Sequence, residues 1–465
     1  MRRQHHRSYY ARGRVPGSFT SLYLRAKVIP LAPKLLSALA VAGASTLGFL
    51  PADIRSRLRM ESDRLGEQVS EQSQSIFFRD PGLDTLFVRV LCGIAGSAGK
   101  IVHAAAALDS VIGLDRTGKL QRLAQVTPCD GFEALMAGML IAGTSLGQMT
   151  GGTAHADKYF DSDGGQDFIE IPGRPRSQVK RLWAPRSLQD MAADIDDMYW
   201  AGTYGQSIKI TRVGQGETRR WLVSIPGTQH FDTPSTPNPA DMEANIREAL
   251  GMPSSMRAGI ILALHHAMSE EGVDPEGFAT EPVMLAGHSQ GGLIAVNLGS
   301  LSVQETGIDV RAILAMGAPA RRTRIRPEVV MVDIAHDQDV VPSTDGTPAR
   351  APDHRIMVGR KLIQPRLRAL YYAHSSSTYT ETVGHLERRS AITQWDRVGQ
   401  AVRTLQAMLP QGDEPTRVRI YDVWQELDDP NSGVWSRVKG IHSRQLTSNA
   451  QETDDNHDGV THGSE

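Results

Sequence analysis

The spacing of apolar residues changes character along the chain. Thr85–Leu114 and Phe132–Leu146 are rich in Ala, Leu, Met and Gly, have helical length and carry few β-branched runs, which predicts helices. The second is almost uncharged, so it is expected to be buried between helices, with lipid contact as the other reading. Residues 151–176 carry many turn formers and read as a linker or loop. Beyond them the pattern alternates. Ser187–Trp200 predicts an amphipathic helix with a serine N-cap, and Ser207–Val213 alternates as a strand does. Arg220–Ile225, Pro282–Ala286, Arg311–Met316, Val329–Ala335 and Arg355–Val358 read as further strands. Pro239–His266, Gly291–Leu301 and Ile392–Met408 read as helices between and after them. Apolar strands alternating with helices predict an α/β fold with a mostly parallel sheet covered by helices on both faces, preceded by an N-terminal mainly helical region.

Composition narrows the class. The 465 residues are 40% hydrophobic and 22% charged, enough to bury a core and unlike a disordered chain. Neither a collagen period nor sustained heptads appear. A formal net charge of -2 gives no global attraction to nucleic acid, so no nucleic-acid partner is expected. Cys92 and Cys129 cannot make a disulfide framework or a cysteine-based zinc site, and read as small buried residues.

Charge is nonetheless unevenly spread. Residues 1–52 hold eight Lys/Arg and no acid. Leu35–Leu50 is a 16-residue apolar run, short of the roughly 20 residues a spanning helix needs. It fits a signal peptide, a helix lying on a membrane, or a leader followed by an ordinary core helix. Residues 451–465 hold five acids and no Lys/Arg and read as a solvated tail. The expected division is a basic leader (1–52), a helical region and linker (53–180), a catalytic domain (181–410) and a C-terminal extension with an acidic tail (411–465).

The most informative segment is Pro282–Gly292, PVMLAGHSQGG. It sets Gly287-His288-Ser289-Gln290-Gly291 between a buried strand and a helix, the context that a G-x-S-x-G nucleophile turn requires. Side chains at Gly287 and Gly291 would meet neighbouring backbone, and the turn lifts the Ser289 hydroxyl clear of the sheet. A serine nucleophile needs a histidine base and a carboxylate to orient it. In this sheet class the chain order is Ser, acid, His. Asp339, just past the strand VVMVDIA, is the expected acid, with Asp337 as alternative. His374 is the expected base, ahead of His385, which falls within a helix. Asp333 and His354 read as structural, and the adjacent pair His265-His266 is upstream and faces two ways. For the oxyanion, the N–H of Gln290 is one expected donor, and Thr228 or Gln229, after the strand ending at Ile225, supplies the second.

The set IPGTQ, GHSQGG, MGAP and DQDVVP, in that order, resembles the serine lipases and esterases of the α/β-hydrolase fold, and most of all the fungal-type (class three) triacylglycerol lipases. The resemblance spans residues 185–410 and leaves residues 1–180 outside. It implies Ser289 as nucleophile, Asp339 as acid and Thr228 or Gln229 in the oxyanion hole. It implies an ester or lipid substrate, hydrolysed through an acyl-enzyme with no metal or organic cofactor. One departure is HFDTPSTPNPADMEAN after the oxyanion segment, where that group has Asp-Trp. An acyltransferase would use the same triad. A non-catalytic membrane-associated scaffold could keep the fold, its N-terminal region touching the membrane surface. Two weaker motifs fail on spacing. Gly93–Ile101, GIAGSAGKI, lacks the phosphate-loop pattern, and Asp161–Asp167, DSDGGQD, lacks the last glutamate of a calcium loop.

Overall fold

The computed structural model describes residues 83–113, 118–128, 130–145, 147–165, 168–169, 180–199, 204–231, 234–346, 355–363, 369–392 and 396–429, with a few positions between 53 and 64. The apolar run Leu35–Leu50, Cys129, His354 and the acidic tail lie outside these residues. In chain order the described helices and strands begin with α1 (Leu83–Ile112), α2 (Lys119–Val126), α3 (Gly131–Ser145) and β1 (Gly152–Ser162). A short hairpin of β2 (Phe168–Ile169) and β3 (Lys180–Arg181) leads to α4 (Leu188–Met198), β4 (Gln206–Val213) and β5 (Arg220–Ile225). Then come α5 (Met242–Ala249), α6 (Ser255–Glu270), β6 (Pro282–His288), α7 (Gln290–Ser300), α8 (Val303–Thr306) and β7 (Asp309–Met316). The chain continues through β8 (Val330–His336), β9 (Arg355–Arg360), α9 (Ala369–His374), α10 (Ser376–Ile392), α11 (Arg397–Gln406) and β10 (Thr416–Leu427).

Eight strands form one sheet in the order β1-β10-β4-β5-β6-β7-β8-β9. Strands β5 to β9 run parallel, while β1, β10 and β4 join on by antiparallel pairing. Strands β5 to β8 are buried on both faces, which is why they read as continuous apolar runs rather than as alternation. On one face Ile208, Trp221, Val283 and Leu285 pack against α5, α6 and α7. On the other, Leu222, Met284, Leu314 and Val332 pack against α4, α10 and α11. The N-terminal helices join this body through Leu140 of α3 and Ile246 of α5. The parallel strands therefore all present their C-terminal ends along one edge, where Ser289 and Asp339 follow β6 and β8.

Four expectations need correction. Residues 151–176 are not all loop: β1 runs from 152 to 162 and pairs with β10. Its interior charges find partners in the fold, as Lys158 does with Asp161 of the same strand at 2.9 Å and with Glu270 at the end of α6 at 2.6 Å. Residues 411–427 are no appended extension, because β10 lies between β1 and β4. Pro239–His266 is two helices, broken at Gly251, which takes φ +72, and Pro253. At the other helix joint, Ile392 closes α10 and the final helix begins only at Arg397. Gly93–Ile101 lies inside α1, so its glycines form no phosphate cradle.

The placement of β10 predicts the outcome of truncation. A chain ending at Asp429 keeps every described strand and is expected to melt within about 2 °C of the full chain. A chain ending at Asp413 leaves the edges of both β1 and β4 unpaired and is expected to be insoluble. Expression of both, followed by thermal melting, checks this.

Candidate active site

The turn between β6 and α7 builds the site. Ser289 adopts φ 57 and ψ -122, the one non-glycine residue with positive φ among the described residues. Such a conformation is strained for an L-residue. It is held because the backbones of the strand and the helix approach closely. A Cβ at Gly287 would lie 2.3 Å from the carbonyl of Gly291, and one at Gly291 would lie 2.3 Å from the carbonyl oxygens of Ile225 and Pro226. Only glycine fits either position. The Ser289 N–H donates to Met316 O on β7 at 2.8 Å, anchoring the turn to the next strand.

Around this serine the fold brings together the expected partners. His374, the last residue of α9, has Nε2 2.9 Å from Ser289 Oγ and Nδ1 2.8 Å from Asp339 Oδ2. A carboxylate only accepts, so Nδ1 carries the proton and Nε2 offers its lone pair to the serine hydroxyl. The Asp339 side chain is fully buried, and His374 keeps 23% of its side chain open to solvent. Asp339 Oδ2 also accepts from the Tyr379 hydroxyl at 2.7 Å, and Oδ1 accepts from the Val341 N–H at 3.0 Å. Burial, and next the charge of Asp339, push the Tyr379 phenol well above its usual range, so it stays a donor.

The alternatives fall elsewhere. Asp337 donates its N–H to Arg360 O at the end of β9, away from the histidine. His385 is exposed on α10, next to Arg388. Asp333 is buried and paired with Arg355 at 2.8 Å, and His265 stacks on Phe278.

The oxyanion segment follows β5. Gly227 passes so close that a Cβ there would lie 2.6 Å from Ser289 Cβ. Thr228 and Gln290 donate their backbone N–H groups to no acceptor among the described residues, which leaves both free for a ligand oxygen. Asn245 Nδ2 fixes the Thr228 side chain, donating to Oγ1 at 2.9 Å. Gln229 is committed instead to structure. Its N–H donates to Ala240 O at 2.9 Å, and its side chain binds Tyr199 O and Asn238. Of the two expected residues, Thr228 thus keeps its N–H available and Gln229 does not.

Sequence reading missed four supporting residues: Tyr199, His288, His336 and Tyr379. The Gly227 N–H donates to the Tyr199 hydroxyl at 2.7 Å, which donates in turn to His288 Nδ1 at 2.6 Å. His288 Nε2–H then donates to the carbonyl of His374 at 2.8 Å. His336 does the same one residue earlier, its Nδ1–H donating to Ala373 O at 2.6 Å. Two buried histidines thus cap the C-terminal carbonyls of the short helix that carries the base. Burial, and next the neighbouring His374, hold His288 well below the usual imidazole range, and burial lowers His336 to about 4. A signal was present for His288, which lies inside the G-x-S-x-G motif. None marked the tyrosines, which arrive from distant helices.

Among the described residues, no group of three or more His, Cys, Asp and Glu side chains could hold a metal ion. A cavity of about 270 Å³ lies between α1, α3 and the 345–346 loop, lined by Cys92, Lys100, Asp130, Arg322 and Asp345. It includes no triad residue.

His336 gives a pH prediction with a definite sign. Unfolded, it takes up a proton near pH 6.5; folded, it resists protonation until about pH 4. Between these values the unfolded state binds more protons, so this residue removes stability as pH falls from 6.5 towards 4. In His336→Gln that loss, about 1 kcal/mol per pH unit, is expected to vanish while stability at pH 7.5 drops. Urea titrations of both proteins from pH 7.5 to 4.5 measure the difference in slope.

Comparison of the chain with protein-family models, with curated proteins and with solved structures finds no match.

Proposed function

We propose that this chain is a serine hydrolase of carboxylic esters, with an α/β-hydrolase fold and a likeness to the fungal-type lipases. One observation carries the reading: a strained serine at the end of a parallel strand, 2.9 Å from a histidine that is itself 2.8 Å from a buried aspartate. The order of these residues in the chain agrees with the fold class. The motifs IPGTQ, GHSQGG, MGAP and DQDVVP add to it.

In the proposed reaction Ser289 Oγ attacks the ester carbonyl while its proton passes to His374 Nε2. Asp339 stays ionised and stabilises the imidazolium through Nδ1–H. The carbonyl oxygen becomes an oxyanion, met by the N–H groups of Thr228 and Gln290 at the positive end of α7. Collapse expels the alcohol, which takes the proton from Nε2, and leaves an acyl group on Ser289. Water then gives up a proton to Nε2 and attacks the acyl carbon. The acid departs and Ser289 recovers its proton.

Two experiments test this. A fluorophosphonate should phosphonylate Ser289, found by mass spectrometry of the adduct, and should leave Ser289→Ala unlabelled. In the same experiment Asp339→Asn is expected to slow labelling by about 10⁴, because the histidine then settles in the wrong tautomer. Failure of folded, detergent-treated protein to label would sink the reading. The second is Tyr379→Phe, which removes one donor to Asp339 and leaves its charge. It is expected to lower kcat on a short-chain p-nitrophenyl ester by roughly tenfold with KM unchanged, the cost of one lost bond to a buried charged group.

A further inference from the structure

Helix α1 presents its apolar side to water. Its stretch Leu91–Ile112 is 22 residues long and apolar enough to cross a bilayer, yet only 17% of it is buried inside the protein. Ile94, Ile101 and Leu108, seven residues apart and so on one face, are 50%, 67% and 59% exposed, and Val111 and Ile112 extend the stripe. Between 91 and 112 the one exposed charged side chain is Lys100. A surface helix of a water-soluble body carries several charges on its outer face; this stretch carries only Lys100 there.

We propose that this face docks the protein onto an anionic bilayer, with α1 lying in the plane of the interface. Two observations favour that occupant. Residues 1–52 carry eight Lys/Arg and no acid, which suits anionic headgroups. Spanning is disfavoured because α1 is tied along its inner side to polar neighbours: His103 bonds Thr127 O and Gln121 donates to Ala106 O. Alongside runs α2, with Lys119 and Arg122, which would follow α1 into hydrocarbon. An interfacial helix needs only its outer face to be apolar.

Arg89 Nε, on α1, donates to Gly346 O at 3.1 Å, in the loop that begins at Asp339. The docking itself does not rest on the ester-hydrolase reading.

Co-sedimentation of the full chain with vesicles of phosphatidylcholine, with and without phosphatidylserine, tests the proposal. The wild-type chain should sediment with the phosphatidylserine vesicles. Ile101→Glu combined with Leu108→Glu should weaken partitioning by at least about tenfold, with the melting temperature unchanged because both positions are exposed. Ile392→Glu, which alters an 83% exposed residue at the end of α10, should bind as wild type does. Failure of the wild type to sediment would overturn the proposal, as would equal partitioning of the double variant, since the leader alone would then account for binding. So would a wild-type dimer that the double variant dissolves, seen by light scattering without vesicle binding, because the occupant would then be a second copy.

Discussion

The backbone of Ser289 at φ 57 is the constraint from which the rest of the site follows. Holding an L-residue there costs on the order of 1–3 kcal/mol, and the surrounding structure must over-determine the turn. It does so with contacts that admit no side chain. Gly287 meets Gly291, and Gly291 meets the end of β5. Because β5 must come that close, the segment leaving it passes directly beside the serine, and Gly227 and Thr228 arrive where a ligand oxygen would lie. One local strain thus sets the relative positions of Ser289, the Gly227–Thr228 segment and the start of α7.

The base is placed by longer-range means. Helix α9 has six residues, too few to be stable in isolation. Its last two carbonyls are held by His336 and His288, at the ends of β8 and β6. Those strands also lead into Asp339 and Ser289. The same two strand ends therefore fix Ser289, His374 and Asp339 together, and the sheet, not the helix, sets the distances between them. Tyr379 closes the arrangement from α10, binding Asp339 through its hydroxyl and stacking on the His336 ring at 3.8 Å.

This division explains what the sequence alone made legible. Strands β4 to β9 were readable to within a few residues: burial on both faces leaves β5 to β8 as apolar runs with clear ends, and β4 showed itself by its alternation. β1 and β10 were not. Arg417, Arg419 and Asp422 of β10 and Asp157, Lys158 and Asp161 of β1 look like loop residues until the strands pair and Asp161 meets Arg417 at 2.7 Å. Ser289, Asp339 and His374 followed from motif and chain order. Gln229 was misplaced because the acceptor that occupies its N–H, Ala240 O, is visible only in the fold. The tyrosines escaped for the same reason: their partners are 28 to 89 residues away.

The hydrogen-bond chain from Gly227 to His374 has one further property, which comes from its ends. A backbone N–H can only donate and a carbonyl can only accept. The chain starts on the Gly227 N–H and finishes on the His374 carbonyl, so the Tyr199 hydroxyl and the His288 ring between them can orient in one way only. Its proton arrangement is therefore unique while His288 is neutral. Added at Nδ1, a second proton would oppose the Tyr199 hydroxyl hydrogen, and the link to Gly227 would have to rearrange. The depressed basicity of His288 is what a directional chain of this kind requires. The loop beside Ser289 and the helix that bears His374 are in this way held by one relay with a single direction.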